Sequence, residues 1–451
     1  MASPTARALV RRGGARRARL HPGDAGHRRP VHTVYGGAHL FRADTARKLG
    51  DLALRSLEDY APDAAAFARA LDLPEGAGLH RAVYGRMVEK LRREPVEDLR
   101  IDFEDGYGNR PDAEEDGHAI AAAEEMARGV RERSLPPFIG IRIKPLTEAL
   151  YARSTRTLEL FVGTLARVAG RALPERFAVA LPKVSDTDQV RALAVLLGAL
   201  ERRHRLKRGA LALEIMVETP EALIDAEGRV ALPSLVRAAG GRCVAACFGP
   251  YDFTAALDVI APLQTLLHPA CDFARQLITT SLAGSGVAIS DGPTTVLPVG
   301  PHRAAKGGSL TREEVAVNRD VVYEAWRTAY RNVRHALVRG IYQGWDLHPA
   351  QLPVRYAATY AFFLESLPAV SARLKTFIEH AAQATRVGSV FDDAATGQGL
   401  LNVFLRGMAC GALTEEEARE TGLSPEEIRG RSFAGILERR LRRPEAAARS
   451  G

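Results

Sequence analysis

Short apolar runs alternate with longer helical patterns along the chain from residue 31 onward. Each run ends in Gly, Pro or acidic residues and is followed by apolar residues at helical spacing. The eight runs are VHTVYGG (31–37), LRIDFEDGYG (99–108), PFIGIRIKP (137–145), RFAVALPKV (176–184), ALALEIMVETP (210–220), RCVAACFGPYDF (242–253), GVAISDGP (286–293) and GIYQGWDLHP (340–349). Strands that alternate with helices form parallel sheets through right-handed crossovers. Eight such units predict an α/β fold of the closed (β/α)8 TIM barrel class.

The pattern after residue 355 is helical throughout. Thr414 and Ser424 are each followed three residues later by Glu, which is the signature of a capping box at the start of a helix. We therefore predict an Arg-rich disordered leader over 1–30, a catalytic barrel over 31–355 and a helical C-terminal module over 356–451. Because the eight predicted strands precede the module, we expect it to affect turnover or assembly more than folding of the barrel.

The positive charge of the chain is concentrated at its start. Residues 1–30 contain eight Arg and one Asp, so they carry +7 of the formal net charge of +8 and leave +1 for the remainder. This segment lacks the apolar stretch of a secretory signal, although its composition overlaps with that of an organellar transit peptide. A nucleic-acid-binding arm is a second interpretation, but no aromatic residues are interleaved with the arginines. The composition therefore favours a disordered leader and argues against a nucleic-acid partner.

Hydropathy and cysteine usage exclude two further classes of protein. The longest apolar run, near residues 193–200, is far shorter than the roughly 20 residues of a membrane-spanning helix, so we expect no membrane segment. Four cysteines are too few and too scattered for a disulfide framework, which favours the cytoplasm. An apolar stretch separates Cys243 from Cys247 and favours core residues on a strand over a zinc site.

Polar residues cluster at the ends of the predicted strands. In a barrel of this class the reaction site lies at the carboxyl ends of the strands, so these residues are the candidates for chemistry. They are Asp102, Glu104, Asp105, Arg142, Lys144, Lys183, Glu218, Asp252, Asp291 and His348.

Two of these acids are candidates for metal ligands. Glu218 lies near the end of the fifth run and Asp252 near the end of the sixth, each two residues from a proline that stops the strand. Neighbouring carboxylates without Cys or His form the hard-oxygen partial shell that Mg²⁺ or Mn²⁺ prefers, with water and substrate in the remaining positions. The alternative is a pair of acids that cap the helices that follow.

Arg142 is the candidate for anion binding. It shares a strand face with Gly140 and Lys144, and this face points into the mouth of the predicted barrel. A guanidinium there can hold a carboxylate through two parallel hydrogen bonds. The alternative is a structural ion pair with the acids of the second run.

The motifs resemble those of a known family when they are taken in order. DFEDGYG, RIKP, LPKV, IMVETPEAL, FGPYDF, GVAISDGP and GWDLHPAQ look like the motif set of the citrate lyase beta subunit and malyl-CoA lyase group. That group belongs to the HpcH/HpaI aldolase superfamily of pyruvate- and phosphoenolpyruvate-binding barrels. The resemblance covers about residues 31–355, and its specificity lies in the order of the motifs along eight strand ends.

The resemblance implies a set of roles. Glu218 and Asp252 would bind the metal, Arg142 would bind the carboxylate of an oxo-acid or its enolate, and Asp102 and Glu104 would hold metal-bound waters. Crowded carboxylates at a strand end are then tolerable, because a divalent cation and Arg142 neutralise them.

Three further residues complete the expected site. Lys183 would assist the enolate electrostatically, or neutralise its acidic neighbours, and Gly249 and Pro250 would contact substrate. The short-chain aldolase branch of the superfamily uses a His base in the loop corresponding to DFEDGYGNR. This loop contains no His before His118, so that base does not transfer to this chain.

These observations predict a metal-dependent carbon–carbon lyase, with Mg²⁺ or Mn²⁺ as cofactor and an oxo-acid or a coenzyme A thioester as substrate. We expect a homo-oligomer. The alternatives are related enolate chemistry, such as thioester hydrolysis or transfer at phosphoenolpyruvate, and a non-catalytic ligand-binding barrel. Crowded acids at the mouth argue against the non-catalytic barrel.

Overall fold

The computed structural model describes residues 3–23, 28–74, 76–305, 307–387, 394–433 and 435–440. Its strands are β1 (His32–Gly37), β2 (Asp98–Asp102), β3 (Phe138–Arg142), β4 (Phe177–Leu181), β5 (Ala212–Val217), β6 (Cys243–Phe248), β7 (Ala288–Pro293) and β8 (Gln343–Asp346). Its helices are α1 (Pro4–Leu20), α2 (Thr45–Tyr60), α3 (Ala64–Ala70), α4 (Ala77–Arg93), α5 (Asp112–Glu132), α6 (Tyr151–Val168), α7 (Thr187–Arg203), α8 (Pro220–Leu223), α9 (Leu232–Ala238), α10 (Pro250–Ala256), α11 (Pro269–Leu282), α12 (Arg312–Val338), α13 (Leu352–Val387), α14 (Ala394–Ala409), α15 (Glu415–Arg419) and α16 (Pro425–Arg429).

The eight strands form one closed parallel barrel in the order of the sequence. Strand β8 pairs with β1 and closes the sheet. Each apolar run of the sequence analysis contains one strand, so the predicted TIM barrel is confirmed.

Strand β5 shows how the sequence pattern sorts its side chains between two environments. Leu213, Ile215 and Val217 are fully buried in the apolar layer of the molecule. Glu214 and Met216 alternate with them and reach arginines inside the barrel. This two-residue period carries acidic side chains into the interior and onward to the mouth.

The strand register places the central residues of the mouth side by side. Asp102 pairs with Gly37 on one side and with Arg142 on the other. Arg142 in turn pairs with Ala180. Because paired residues of neighbouring strands lie close together, Asp102 and Arg142 meet without any contribution from loops.

The C-terminal helices share the core of the barrel. Tyr356, Tyr360 and Phe363 of α13 are at most 2% exposed and belong to the apolar cluster that contains the barrel core. The Tyr356 hydroxyl donates to the backbone oxygen of Pro95, at 3.1 Å. The chain on the two sides of the expected boundary at residue 355 therefore packs into one continuous core.

Capping boxes occur where the sequence predicts them. The Thr414 hydroxyl accepts from the Glu417 amide at the start of α15, and the Ser424 hydroxyl accepts from the Glu427 amide at the start of α16. In each case the Glu carboxylate accepts a hydrogen bond from the backbone amide of the capping residue.

The Arg-rich start departs from the expected disordered leader. Residues Pro4–Leu20 form helix α1, capped by Ser3, and none of its residues is buried. Ala, Arg and Leu favour helices, and a proline at the first position is compatible with one. After the helix, Nδ1 of His21 lies 2.9 Å from the backbone oxygen of Ala283. The composition alone did not indicate this helix, because the helix buries no apolar face.

Among the described residues, no helix combines the length and apolar character needed to cross a bilayer. All four cysteines are free thiols. Cys243 and Cys247 lie on β6, and Cys247 is buried, as the interpretation of this pair as core strand residues predicts.

Candidate active site

A buried arginine–aspartate pair forms the base of the barrel mouth. Nε of Arg142 donates to Oδ1 of Asp102 at 2.7 Å, and Nη2 donates to Oδ2 at 2.6 Å. Asp102 also accepts from the backbone amides of Glu104 and Gly106. Arg142 is 1% exposed and Asp102 is 0% exposed. The ion pair considered as an alternative for Arg142 is therefore present, and it fixes the orientation of the guanidinium.

The third nitrogen of Arg142 faces the loop that follows β2. Its Nη1 lies 2.9 Å from Oε2 of Glu104 and 3.7 Å from Oδ2 of Asp105. Oε2 of Glu104 is buried and makes no hydrogen bond of good geometry within the described residues. Nη1 is therefore the one guanidinium nitrogen that makes no bond to Asp102, and it also lies 3.8 Å from Sδ of Met216.

Two aromatic rings that contact each other lie beside the Arg142 guanidinium. Its central carbon lies 4.9 Å from the ring centroid of Tyr35 and 5.4 Å from that of Trp345. The two ring centroids are 4.1 Å apart. These cation–π contacts come from β1 and β8, and they keep the cation partly out of water.

Lys183 lies at the centre of the acidic residues of the mouth. Its Nζ is 2.6 Å from Oε1 of Glu104, 3.6 Å from Oδ2 of Asp105 and 3.7 Å from Oδ2 of Asp252. Its backbone amide donates to Oε1 of Glu218 at 2.6 Å. Burial opposes the charged form of Lys183, but these carboxylates outweigh it and raise its pKa above the usual range.

The backbone of Lys183 is in the left-handed region, with φ of +50°. A non-glycine residue in this region carries strain that the surrounding structure must offset. The strained conformation turns both the amide and the ammonium of Lys183 toward carboxylates.

Glu218 lies deep in the mouth, whereas Asp252 lies at its rim. The Glu218 residue is 2% exposed, and burial raises the pKa of this carboxyl to about 7 against the opposing effect of Lys183. Asp252 lies in the first turn of α10, and its side chain is 46% exposed. A Cβ at Gly249 would lie 2.7 Å from Oε2 of Glu218, so only glycine leaves room for that carboxylate. Pro250 then starts α10 and brings Asp252 toward Lys183.

The donor atoms of the mouth fit a divalent cation of the Mg²⁺ type. Glu104, Glu218 and Asp252 supply hard oxygen atoms, and the mouth holds more carboxylates than cations. Within the described part of the chain, no group of three or more His, Cys, Asp or Glu side chains is arranged to hold a metal ion. A two-carboxylate site would take its remaining ligands from water and substrate, which is the usual arrangement for Mg²⁺.

Three candidates from the strand ends lie outside this group. Nζ of Lys144 donates to a backbone oxygen and lies 2.9 Å from Glu115. Asp291 pairs with Arg275, at 3.0 Å. The His348 ring accepts from a backbone amide and caps the next turn. Each is engaged in a structural contact.

Sequence reasoning missed the aromatic pair beside Arg142. Tyr35 lies two residues after Thr33 on β1, and Trp345 lies two residues after Gln343 on β8. Thr33 and Gln343 are hydrogen-bonded inside the barrel. The strand period of two was therefore an available signal that Tyr35 and Trp345 also point inward.

A histidine cluster borders the mouth beside β1 and β2. The Tyr107 hydroxyl lies 2.8 Å from Nδ1 of His118, and the ring centroids of His39 and His118 are 6.0 Å apart. Burial and the nearby Arg110 lower the pKa of His39. His39 follows β1, so the search for a base in the loop after β2 did not include it.

Comparison with known proteins places the chain in a family and a fold. The chain belongs to a family described as "Domain of unknown function (DUF6986)", whose model matches residues 11–436. No curated protein matches the sequence.

Several solved structures have a similar fold. A citrate lyase from Burkholderia xenovorans LB400 is 19% identical, with a TM-score of 0.54 over 88% of this chain and 97% of that one. A malate synthase from Haloferax volcanii is 15% identical, with a TM-score of 0.45 over 91% and 96% of the two chains. The CitE protein of Mycobacterium tuberculosis, in complex with magnesium and acetoacetate, is 15% identical, with a TM-score of 0.39 over 75% and 92%. The similarity to the citrate lyase shows that the two chains share the barrel fold.

Proposed function

We propose that this protein is a metal-dependent lyase that breaks or forms a carbon–carbon bond next to the enolate of a 2-oxo acid or an acyl thioester. The observation that carries the proposal is the arrangement of Arg142, whose orientation Asp102 fixes, beside a surplus of carboxylates at the open end of the barrel. A site that holds an anionic substrate and a divalent cation together needs both features.

Glu218 and Asp252 are the proposed ligands of Mg²⁺, with Mn²⁺ as an alternative ion. When bound, the ion supplies Lewis-acid stabilisation of the negative charge that develops on the enolate oxygen. Glu218 is held by the Lys183 amide, and Gly249 leaves space for its second oxygen. These contacts fix one ligand deeply, while the exposed Asp252 leaves access for substrate.

Arg142 is the proposed partner of the substrate carboxylate. Because Nε and Nη2 are both used by Asp102, the substrate would bind through Nη1 and take the place of Glu104. Asp102 thus acts as a positioning residue, and Glu104 keeps its contact with Lys183.

Lys183 is proposed to offset negative charge at the reacting carbon. Its pKa is raised, so the ammonium form persists at neutral pH and the side chain does not accept the proton. In the cleavage direction the hydroxyl of the departing fragment loses its proton and becomes a carbonyl as the carbon–carbon bond breaks, and the electron pair of that bond remains on the oxo-acid or thioester fragment as the enolate. Protonation of that enolate completes the reaction, and the reverse direction is an aldol or Claisen addition.

The proposal also covers the cellular compartment, the oligomeric state and the substrate of the enzyme. Four free thiols support a reducing compartment such as the cytoplasm. We also propose a homo-oligomer that acts on a small oxo-acid or on an acyl-coenzyme A substrate.

Crystals soaked with Mg²⁺ and oxalate, an analogue of the pyruvate enolate, test the proposed site. We expect the ion between Glu218 and Asp252 and an oxalate carboxylate within hydrogen-bond distance of Nη1 of Arg142. Crystals of an Asp252→Asn variant, treated in the same way, serve as the control and should lose the ion. An ion bound elsewhere in the parent crystals at saturating Mg²⁺ would contradict the assignment.

A further inference from the structure

The opposite end of the barrel contains a cavity of about 940 Å³. It opens among the first residues of most of the strands, including Asp98, Phe138, Ala212, Cys243 and Gln343. Small-molecule sites commonly have volumes of about 300–1,000 Å³, so the cavity has the size of a ligand site.

Small side chains leave this end of the barrel unfilled. Barrels of this class are usually packed with layers of bulky branched residues. Here Ala178, Ala212, Ala245 and Ala288 line the cavity from four consecutive strands. Val244 also lines the cavity and is 44% exposed. The walls are therefore largely apolar and open to solvent.

The charged groups on the floor of the cavity satisfy one another. Arg100 pairs with both Asp98 and Glu214, and its Nε lies 2.8 Å from Oε2 of Glu214. Asp98 also accepts from the Thr33 hydroxyl at 2.9 Å. The floor has no spare cation, so an anionic group would not bind there.

The rim of the cavity has spare cations. Arg171 and Arg176 lie on the loop between α6 and β4, and Lys207 and Arg208 lie on the loop between α7 and β5. Within the described residues, none of these four side chains forms an ion pair, and the Arg176 guanidinium lies 4.7 Å from the ring centroid of Phe138. Glu175 is the one acidic residue of these two loops that lines the cavity. The rim is therefore strongly positive and free to bind an anion.

We propose that this cavity binds a small molecule that carries a phosphate group. The phosphate would lie at the rim, where cations from two neighbouring loops can meet several of its oxygen atoms. The less polar body of the molecule would extend along the alanine-lined wall toward the floor. Because the cavity lies at the amino ends of the strands, occupancy there would not block the mouth.

Titration calorimetry of the full-length protein in buffer with EDTA tests the proposal, with ADP and inorganic pyrophosphate as probes. A rim variant, Arg171→Gln with Lys207→Gln and Arg208→Gln, should weaken ADP binding at least tenfold, because three of the four cations are lost. A control with the same net charge, Arg55→Gln with Arg81→Gln and Arg131→Gln, should bind ADP within about twofold of the parent. These control residues are exposed and lie outside the cavity.

A second variant tests the depth of the site. Val244→Trp should narrow the cavity and weaken ADP binding while pyrophosphate binding at the rim persists. The proposal is overturned if the parent binds neither probe at millimolar concentration, or if the rim variant binds as the parent does. It is also overturned if Lys183→Gln, at the mouth, abolishes binding, since the probe would then occupy the proposed active site.

Discussion

The two ends of the barrel hold the same kind of ion pair in different surroundings. At the floor, Arg100 is paired with Asp98 and Glu214, and all three are at most 5% exposed. At the mouth, Arg142 is paired as closely with Asp102, but further carboxylates surround the pair. The positive and negative charges of the floor are nearly balanced, whereas the mouth has a surplus of negative charge.

This difference separates a structural cluster from a site for chemistry. Buried ion pairs are costly to desolvate, so a closed cluster such as the floor is retained when breaking it would leave a charge unpaired. Crowded acids that face solvent reduce stability, because like charges repel. The acids of the mouth reduce stability in this way, and the proposed divalent cation would offset their repulsion.

Removal of the mouth arginine should have the largest effect on activity. Arg142→Gln removes the contact with the substrate carboxylate, and we expect pyruvate-enolate proton exchange to fall more than a thousandfold, about 4 kcal/mol. Arg142→Lys should restore little of the exchange rate, because an ammonium does not reproduce the two parallel hydrogen bonds to Asp102. Exchange is measured by loss of the methyl proton signal of pyruvate in heavy water. Parent-like exchange in folded Arg142→Gln would remove Arg142 from the mechanism.

Removal of the floor arginine should affect stability without affecting activity. Arg100→Met leaves Asp98 and Glu214 buried without their cation, and the free energy of unfolding should fall by about 3–5 kcal/mol. Exchange per folded molecule should stay within about twofold of the parent. Urea denaturation and the exchange assay measure the two quantities.

A triple variant provides the control for the floor. Asp98→Asn with Arg100→Met and Glu214→Leu removes all three charges and should recover most of the lost stability. A folded Arg100→Met protein without exchange activity would show that the two ends do not have separate roles.

The floor end should also carry a pH dependence of smaller size. His32 begins β1 and is fully buried, and burial lowers its pKa to about 4. The unfolded chain binds a proton near pH 6.5, whereas the folded chain does so only near pH 4, so stability falls as the pH decreases through this window. This effect of His32 should make the free energy of unfolding about 2 kcal/mol lower at pH 5 than at pH 7.5.

A non-titrating variant isolates this contribution. The free energy of unfolding should fall less between pH 7.5 and pH 5 in His32→Gln than in the parent, by about 2 kcal/mol. This difference does not depend on the stability of the variant at pH 7.5. Urea denaturation of both proteins at the two pH values gives the comparison. An unchanged pH dependence would assign the loss to other groups.

The barrel could be predicted from the sequence because the residues of each strand carry a local signal. Each of the eight runs has Gly, Pro or an acid at or near its end, and the alternation in β5 separates Leu213 and Ile215 from Glu214 and Met216. The pairing of Asp102 with Arg142 depends on register between two strands, and a pattern along one strand does not specify register. The sequence alone therefore indicates the ion pair only as an alternative.

The remaining features of the site depend on tertiary contacts. The left-handed backbone of Lys183 is determined by its surroundings, since lysine itself disfavours this conformation. The contact of Gly249 with Glu218 joins two strands, so neither motif indicates it alone. The side chains of Asp291 and His348 lie at strand ends as expected, but their partners come from elements that local patterns do not pair.

Thermal melting with and without Mg²⁺ tests the central claim that the surplus charge at the mouth forms a cation site. Mg²⁺ at about ten times its dissociation constant should stabilise the parent protein by about 1.4 kcal/mol. Asp252→Asn retains the shape of the side chain and removes one negative charge, so Mg²⁺ should stabilise this variant much less. Without Mg²⁺ the variant should melt at the same temperature as the parent or higher, because repulsion among the mouth carboxylates decreases. Equal Mg²⁺ stabilisation of the two proteins would contradict the account.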